Sequence, residues 1–208
     1  VILFYFFWLF FLFPLFFLIF HYLFGDKVFT TIKVTVYTML GSLLMFVAIL
    51  YLGVAYHNEF GVWSFAYDKL MQITTIPYDV KVWLFLAFLA AFAIKIPIFP
   101  LHTWIMETYS NAPTGAVFLL SSIMAKLGVY AIVRFMIPIF PDIYVEYSTW
   151  LVAVGLFGLI YFGIAALMQD DIKRMFAYSS ASHLSFIAAG IFSLSAYGIN
   201  GALYLIIA

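Results

Sequence analysis

The chain has 208 residues, 67% of them hydrophobic and only 9% charged, and its mean hydropathy of +1.15 lies beyond what a water-soluble globular domain reaches. Lys plus Arg balance Asp plus Glu at nine each, which makes no electrostatic case for nucleic acid or for an acidic substrate. Cysteine is absent, which removes disulfides, thiolate metal sites and iron–sulfur ligation, so this chain's own side chains are not expected to carry electrons.

The chain opens on Val1 and stops at Ala208 inside an apolar run, and is expected to be an excerpt. Residues 1–24 make the first predicted span, rich in Phe and with Pro14 inside it. They show no basic n-region and no small-residue cleavage site, so a span is preferred over a signal peptide. His21, Asp26 and Lys27 are expected to close it at an interface. Residues 34–56 form a second, charge-free span bounded by Lys33 on one side and by His57, Asn58 and Glu59 on the other. From 57 to 78 the text is mixed and predicts an extramembrane loop with a short amphipathic segment, whose Trp63 and Tyr67 fit an aromatic belt.

The third span begins near Val82, carries Lys95 and then meets Pro97 and Pro100. Proline removes a backbone donor and clashes with the carbonyl four residues back, so this helix is expected to break or end within the membrane. Residues 106–113 read as a connection. Residues 114–136 form a fourth span with Ser121, Ser122, Lys126 and Gly128 in its middle, ended by Pro138, Pro141 and Asp142. Residues 149–168 are a charge-free fifth span, and QDDIKR (169–174) is a tight charged turn. A sixth span, 175–196, holds Ser179, Ser180, Ser182 and His183 in its first half, and 200–208 start a seventh. About 20 apolar residues cross ~30 Å of hydrocarbon. The predicted fold class is therefore all-α: one polytopic transmembrane helix bundle over 1–208, with about seven spans. Alternating spans place Lys27, Lys33, Glu107, Lys173 and Arg174 on one side and Lys69, Lys81 and Arg134 on the other. The positive-inside rule, by a thin margin, makes the QDDIKR side cytoplasmic. No tandem repeat is visible, although an inverted-topology repeat leaves only weak traces.

Two lysines carry the chemical argument. A lysine at the centre of a membrane helix costs roughly 2.5–3.5 kcal/mol on insertion scales, so Lys95 and Lys126 call for a compensating reason. A desolvated amine holds its proton less tightly, and one near an opposite charge more tightly, so a small movement of that charge can load or unload it. The competing reading is a structural lysine that snorkels to an interface or pairs with a backbone carbonyl. His102 lies seven residues beyond Lys95 and is a candidate proton carrier or a polar anchor beside Trp104. His183, with Ser179, Ser180 and Ser182, can hold a file of water, or the hydroxyls can simply join helices. Asp170, Asp171, Lys173 and Arg174 read as a solvated turn that fixes topology. No phosphate-binding glycine loop and no HExxH appears, and the four histidines are too scattered for a metal cage, so no metal site and no cofactor site is expected in this chain.

In AFAIKIPIFPLHTW, APTGAVFLLSSIMAKLGVYAIVRF and DDIKRMFAYSSASHLSF the sequence resembles the antiporter-like proton-pumping subunit family of respiratory complex I, in its subunit M (mitochondrial chain 4) branch, over essentially the whole chain. Sodium–proton antiporter and membrane-bound hydrogenase subunits are near relatives of that branch. The resemblance implies a fourteen-helix subunit of two inverted five-helix repeats, of which this chain covers most of the first and the start of the second. It implies a proton-translocating subunit of an NADH-quinone oxidoreductase, in a bacterial inner or mitochondrial inner membrane, with other membrane subunits and the lipid bilayer as partners. NADH, quinone, flavin and iron–sulfur clusters would be handled in other subunits. Lys95 would match the broken-helix lysine that pairs with a glutamate, Lys126 the lysine that passes the proton inward, and His183 the histidine on the axis between half-channels. Two positions depart from the family pattern. Leu9 stands where that glutamate is usual, and Ile105, Met106 and Glu107 follow His-Thr-Trp where Pro-Asp is expected. Glu107 is then a candidate stand-in acid. The alternatives are a sodium–proton antiporter subunit, a hydrogenase subunit, or a spacer that has lost transport.

Overall fold

The computed structural model describes residues 1–22 and 27–207, so the expected interfacial role of Asp26 falls outside the described residues, as does the side chain of Lys27. Every described element is helical. Helices α1 (Ile2–Phe10) and α2 (Leu12–Tyr22) form the first span and are interrupted at Phe11. The cause is Pro14, which cannot donate to the carbonyl of Phe10 four residues back. Helix α3 (Lys27–Phe60) is followed by a one-turn α4 (Tyr67–Leu70) and by α5 (Tyr78–Lys95). After a break, α6 (Thr103–Asn111) continues the third span. The fourth span is a composite: α7 (Thr114–Leu119), a π-helical turn (Leu120–Met124), α8 (Ala125–Ala131), a second π turn (Ile132–Met136) and α9 (Ile137–Ile139). Helices α10 (Pro141–Leu167), α11 (Ile172–Phe192) and α12 (Ala196–Ile207) complete the chain.

Five helical stretches are long and apolar enough to cross a membrane: Ile2–His21, Val28–Phe60, Thr114–Ile139, Pro141–Leu167 and Ile172–Phe192. The chain is an integral membrane helix bundle. Its outer surface is apolar, as lipid requires of a polytopic protein; Phe6, Phe7, Phe13, Phe17, Trp83, Trp150 and Ile160 are all more than half exposed. Inside, one core cluster gathers Trp8, Phe85, Phe88, Phe92, Val129 and Phe135, and a second gathers Trp104, Tyr109, Leu120, Met124, Phe162 and Ala181. Helices α10 and α11 approach closely because Gly155 and Gly158 lie against Ala189 and Ser185; a Cβ at either glycine would fall 2.9 or 2.7 Å from its neighbour.

Several predicted boundaries move, each for a local reason. Helix α3 runs past Tyr56 to Phe60. The His57 ring stacks on Trp63, and the Glu59 carboxylate accepts hydrogen bonds from Thr74 and Thr75, so the polar residues expected to open a loop extend the helix instead. Residues 106–111, read as a connection, belong to α6, with Trp104, Ile105, Met106, Thr108 and Tyr109 buried. Helix α10 begins at Pro141 rather than near 149: proline suits the first helical position because its missing N–H would be unpaired there in any case. Tyr144 then buries its hydroxyl against the Ile191 carbonyl. Of the charged turn, Ile172 onward is already helical. Asp171 caps α11 by accepting from the Lys173 backbone N–H at 3.0 Å.

Candidate functional site

The interruption after Lys95 is where the first structural consequence of Pro97 and Pro100 appears. The Ile98 N–H turns to the Ala93 carbonyl at 2.9 Å, one residue further back than an α-helix would take it. The Ile94 carbonyl is thereby left without its helical donor, and the Trp104 indole N–H, arriving from α6, donates to it at 2.9 Å. The break is therefore closed within the protein, which is the condition for irregular backbone at membrane depth.

Lys95 is the last residue of α5 and only 1% exposed. Fourteen residues separate it from Lys81, about 21 Å of helix. Its ammonium donates to the Trp8 carbonyl at 3.3 Å and stands 3.7 Å from the centroid of the Trp8 ring. Among the described residues no carboxylate pairs with it; the ion pair recorded there joins Lys33 to Glu107 at 2.7 Å. Glu107, a candidate stand-in acid, is thus committed to α3 and does not face Lys95. Trp8 is itself fixed: its indole N–H donates to the Ser42 hydroxyl at 3.1 Å, and Phe4 and Phe92 flank its ring at 5.5 Å each. Leu9, the neighbour of Trp8, lines an apolar groove of about 420 Å³ with Leu12, Phe13, Thr35, Met39 and Leu43.

Lys126 lies on α8, between the two π turns, and is half-buried. Two residues on, Gly128 presses its bare backbone against the break: a Cβ there would sit 2.7 Å from Ile96 Cγ1 and 3.3 Å from Lys95 Cβ. The helix that carries the second lysine is thereby packed on the backbone that carries the first. Among the described residues the Lys126 amine has no hydrogen-bond or ion-pair partner.

His102 sits on the far side of the break from Lys95, just before α6, and is 7% exposed. Its ring is held between Phe99, Phe162 and Tyr161, with centroids at 5.6, 4.7 and 5.7 Å. Its Nδ1 and Glu107 Oε2 are buried and meet no hydrogen-bond partner of good geometry among the described residues. Both residues line a polar cavity of about 360 Å³ with Lys33, Gln169, Arg174 and Tyr178. Two such polar atoms in a cavity of this size suit ordered water. The cavity also brings Lys33, Glu107 and Arg174 to one end of the bundle, as the alternation of spans predicts. His183 is exposed on α11. No hydrogen bond or ion pair among the described residues joins it to either lysine or to His102. Of the serines near it, Ser182 donates across to the Leu159 carbonyl of α10 at 2.9 Å, an interhelical tie.

Trp8 and Ser42 carry no signature in the sequence: a tryptophan in a Phe-rich span is unremarkable. The available signal was on α3, where Thr31, Thr38 and Ser42, spaced by seven and four, fall on one face; all three are buried.

A family model described as "NADH:quinone oxidoreductase/Mrp antiporter, TM" matches residues 1–208. NADH-quinone oxidoreductase subunit M of Escherichia coli (strain K12) is 36% identical over 213 residues, covering 99% of this chain and 41% of that protein. NADH-ubiquinone oxidoreductase chain 4 of Chondrus crispus is 36% identical over 173 residues, covering 82% of this chain and 33% of the relative. Among solved structures, a chain of respiratory complex I from Thermus thermophilus with bound NADH superposes with a TM-score of 0.88 at 29% identity, covering 99% of this chain and 43% of that one. The chain spans about two fifths of the length of the curated relatives it matches first.

Proposed function

This chain belongs to the NADH:quinone oxidoreductase/Mrp antiporter transmembrane family, and from that premise we propose that it is part of a proton-translocating membrane subunit of an NADH-quinone oxidoreductase. Electron transfer takes place in other subunits, with NADH, quinone, flavin and iron–sulfur clusters, in a bacterial inner or mitochondrial inner membrane. This chain moves protons.

The single observation that carries the reading is the Lys95 ammonium, buried at a helix break, without a carboxylate partner among the described residues, and backed by the helix of Lys126. An ammonium held by a carbonyl and an aromatic face occupies a shallower well than one locked to a carboxylate, so it can give up its proton when the field around it changes. Gly128 lets α8 lie directly on Lys95 and Ile96, so movement of the break is felt by the helix bearing Lys126. On the other side of the break, the cavity around His102 gives water a place to reach the membrane interior from the Lys33–Glu107–Arg174 end. Protons are taken up there through His102, pass between Lys95 and Lys126, and leave toward His183 and the part of the subunit beyond it.

Replacing Lys126 by Ala in the full-length subunit within its complex tests this. Proton translocation should be abolished while assembly and electron transfer partners remain; unimpaired pumping with normal assembly refutes the role. A second reading, a transport-inactive spacer, is favoured by Leu9, which puts a hydrocarbon where the family resemblance calls for a carboxylate. Leu9→Glu separates the two: a spacer stays silent, a working channel changes its protons per electron. A sodium–proton antiporter would exchange ions in vesicles that contain no quinone reductase.

A further inference from the structure

We propose that Trp8 is the positioning residue for the Lys95 ammonium: its indole face and its carbonyl, at the C-terminal end of α1, together take the place of a counter-ion. The inference rests on the reading of Lys95 as a proton carrier and names what holds the carrier's charged form.

Three independent observations meet at this point. The first is contact. Lys95 Nζ lies 3.7 Å from the ring centroid and 3.3 Å from the carbonyl oxygen of the same residue, with both side chains 1% exposed. An aromatic face attracts an ammonium through its quadrupole and has no comparable attraction for a neutral amine, and the effect is strongest where water is excluded.

The second is the end of α1. The helix stops at Phe10, two residues past Trp8. The last four carbonyls of a helix lack intrahelical donors, so the Trp8 carbonyl is open to a side-chain donor. Lys95 therefore meets fixed partial negative charge from backbone as well as from the ring. The interruption that creates this end comes from Pro14.

The third is the fixing of the ring. Trp8 donates its indole N–H to Ser42, and Ser42 donates in turn to the Thr38 carbonyl of α3 at 2.7 Å. Phe4 and Phe92 close the remaining sides. The ring is thus tied to α3 at one edge while its face is turned to α5, so a shift of α3 relative to α5 changes the distance from ring to amine. That gives the carrier a seat whose hold on the ammonium varies with the packing of α3 on α5.

The test uses the full-length subunit in its assembled complex, with proton translocation per electron read in sealed membrane vesicles. Site-specific replacement of Trp8 by mono-, di- and trifluorotryptophan drains the ring's quadrupole while nearly keeping its shape. Translocation should fall stepwise with each fluorine, to about a tenth across the series, with assembly unchanged. Trp8→Leu should lose it almost entirely and Trp8→Phe should retain part. Ser42→Ala, which frees the ring edge, should fall between Trp8→Phe and the wild type. A flat fluorine series overturns the proposal, because a merely structural tryptophan responds to shape and not to quadrupole. Lys95→Met is measured alongside: loss of pumping in Lys95→Met with a flat fluorine series sinks the seat alone, whereas normal pumping in Lys95→Met sinks the carrier and the seat together.

Discussion

Gly128 offers the sharpest quantitative test of the contact between the two lysine-bearing helices. A methyl group there would lie 2.7 Å from Ile96 Cγ1 and 3.3 Å from Lys95 Cβ, against 3.4–4 Å for ordinary contact. Ile96 is fully buried, at 0% exposed, so any retreat is into the protein interior. Two opposing effects decide the outcome of Gly128→Ala. Alanine in a helix interior is better than glycine by about 0.5–1 kcal/mol, while overpacking a filled core costs about 1–3 kcal/mol. The net loss of stability should be about 0–2.5 kcal/mol, small enough for the complex to assemble. Function should suffer more, because a displacement of up to one ångström at a positioned reacting group can cost ~10²-fold; we expect about a tenfold fall in proton translocation per electron. The assay pairs dye-reported acidification of vesicles with thermal unfolding of the purified complex. Gly115→Ala is the control: nothing lies within 4 Å of its Cβ position, so it should leave pumping alone and add a fraction of a kcal/mol, about 0.5–1, to stability. Wild-type pumping in Gly128→Ala, or an equal effect from Gly115→Ala, would refute the claim that α8 bears on the Lys95 break.

Lys33 and Glu107 bridge α3 and α6 at 2.7 Å with side chains 21% and 39% exposed. A double-mutant cycle with Lys33→Met and Glu107→Gln should return a coupling of only about 0.2–1 kcal/mol, shrinking as salt is raised; salt-independent coupling would mean the pair is drier than the structure shows. Glu59 accepts hydrogen bonds from the Thr74 and Thr75 hydroxyls at 2.8 and 2.9 Å. Glu59→Ala should raise hydrogen exchange at the Thr74 and Thr75 amides about tenfold, the equivalent of one charge-assisted bond, with spans elsewhere unaffected. Asp171→Ala removes the cap of α11 and should cost about 1 kcal/mol, whereas Asp171→Asn should cost little; equal losses in thermal unfolding would show that charge, and not the cap bond, matters there.

The membrane class, the broken third span and the buried amine of Lys95 were legible in the sequence, each from a strong and local signal; Lys126 is only half-buried. Lysine is expensive in hydrocarbon, and two prolines within six residues of Lys95 cannot sit in an unbroken helix. Helix ends were less legible because they depend on partners far along the chain. Glu59 stays helical because Thr74 and Thr75 bind it, and no window of sequence around Glu59 contains them. The partner of Lys95 was legible least of all. A buried ammonium calls for an acid, and Glu107 is the nearest in sequence. What the fold supplies instead is a backbone carbonyl and an indole from a residue 87 positions earlier. An ion pair can be guessed from composition; a carbonyl belongs to every residue and so announces nothing.

The two π turns in the fourth span carry a genetic consequence. A π turn is one residue longer than the α turn it replaces. Excising one residue from an ordinary membrane helix rotates everything beyond the cut by about 100°, turning a packed face toward lipid. Excising one from Leu120–Met124 or from Ile132–Met136 would instead let that turn relax to α, with both flanks keeping their neighbours. Single-codon deletions tiled along residues 114–139 should therefore be tolerated at two islands and be lethal to assembly between them, in Ala125–Ala131. The length of this helix is free to vary at its swellings and is pinned where Lys126 sits.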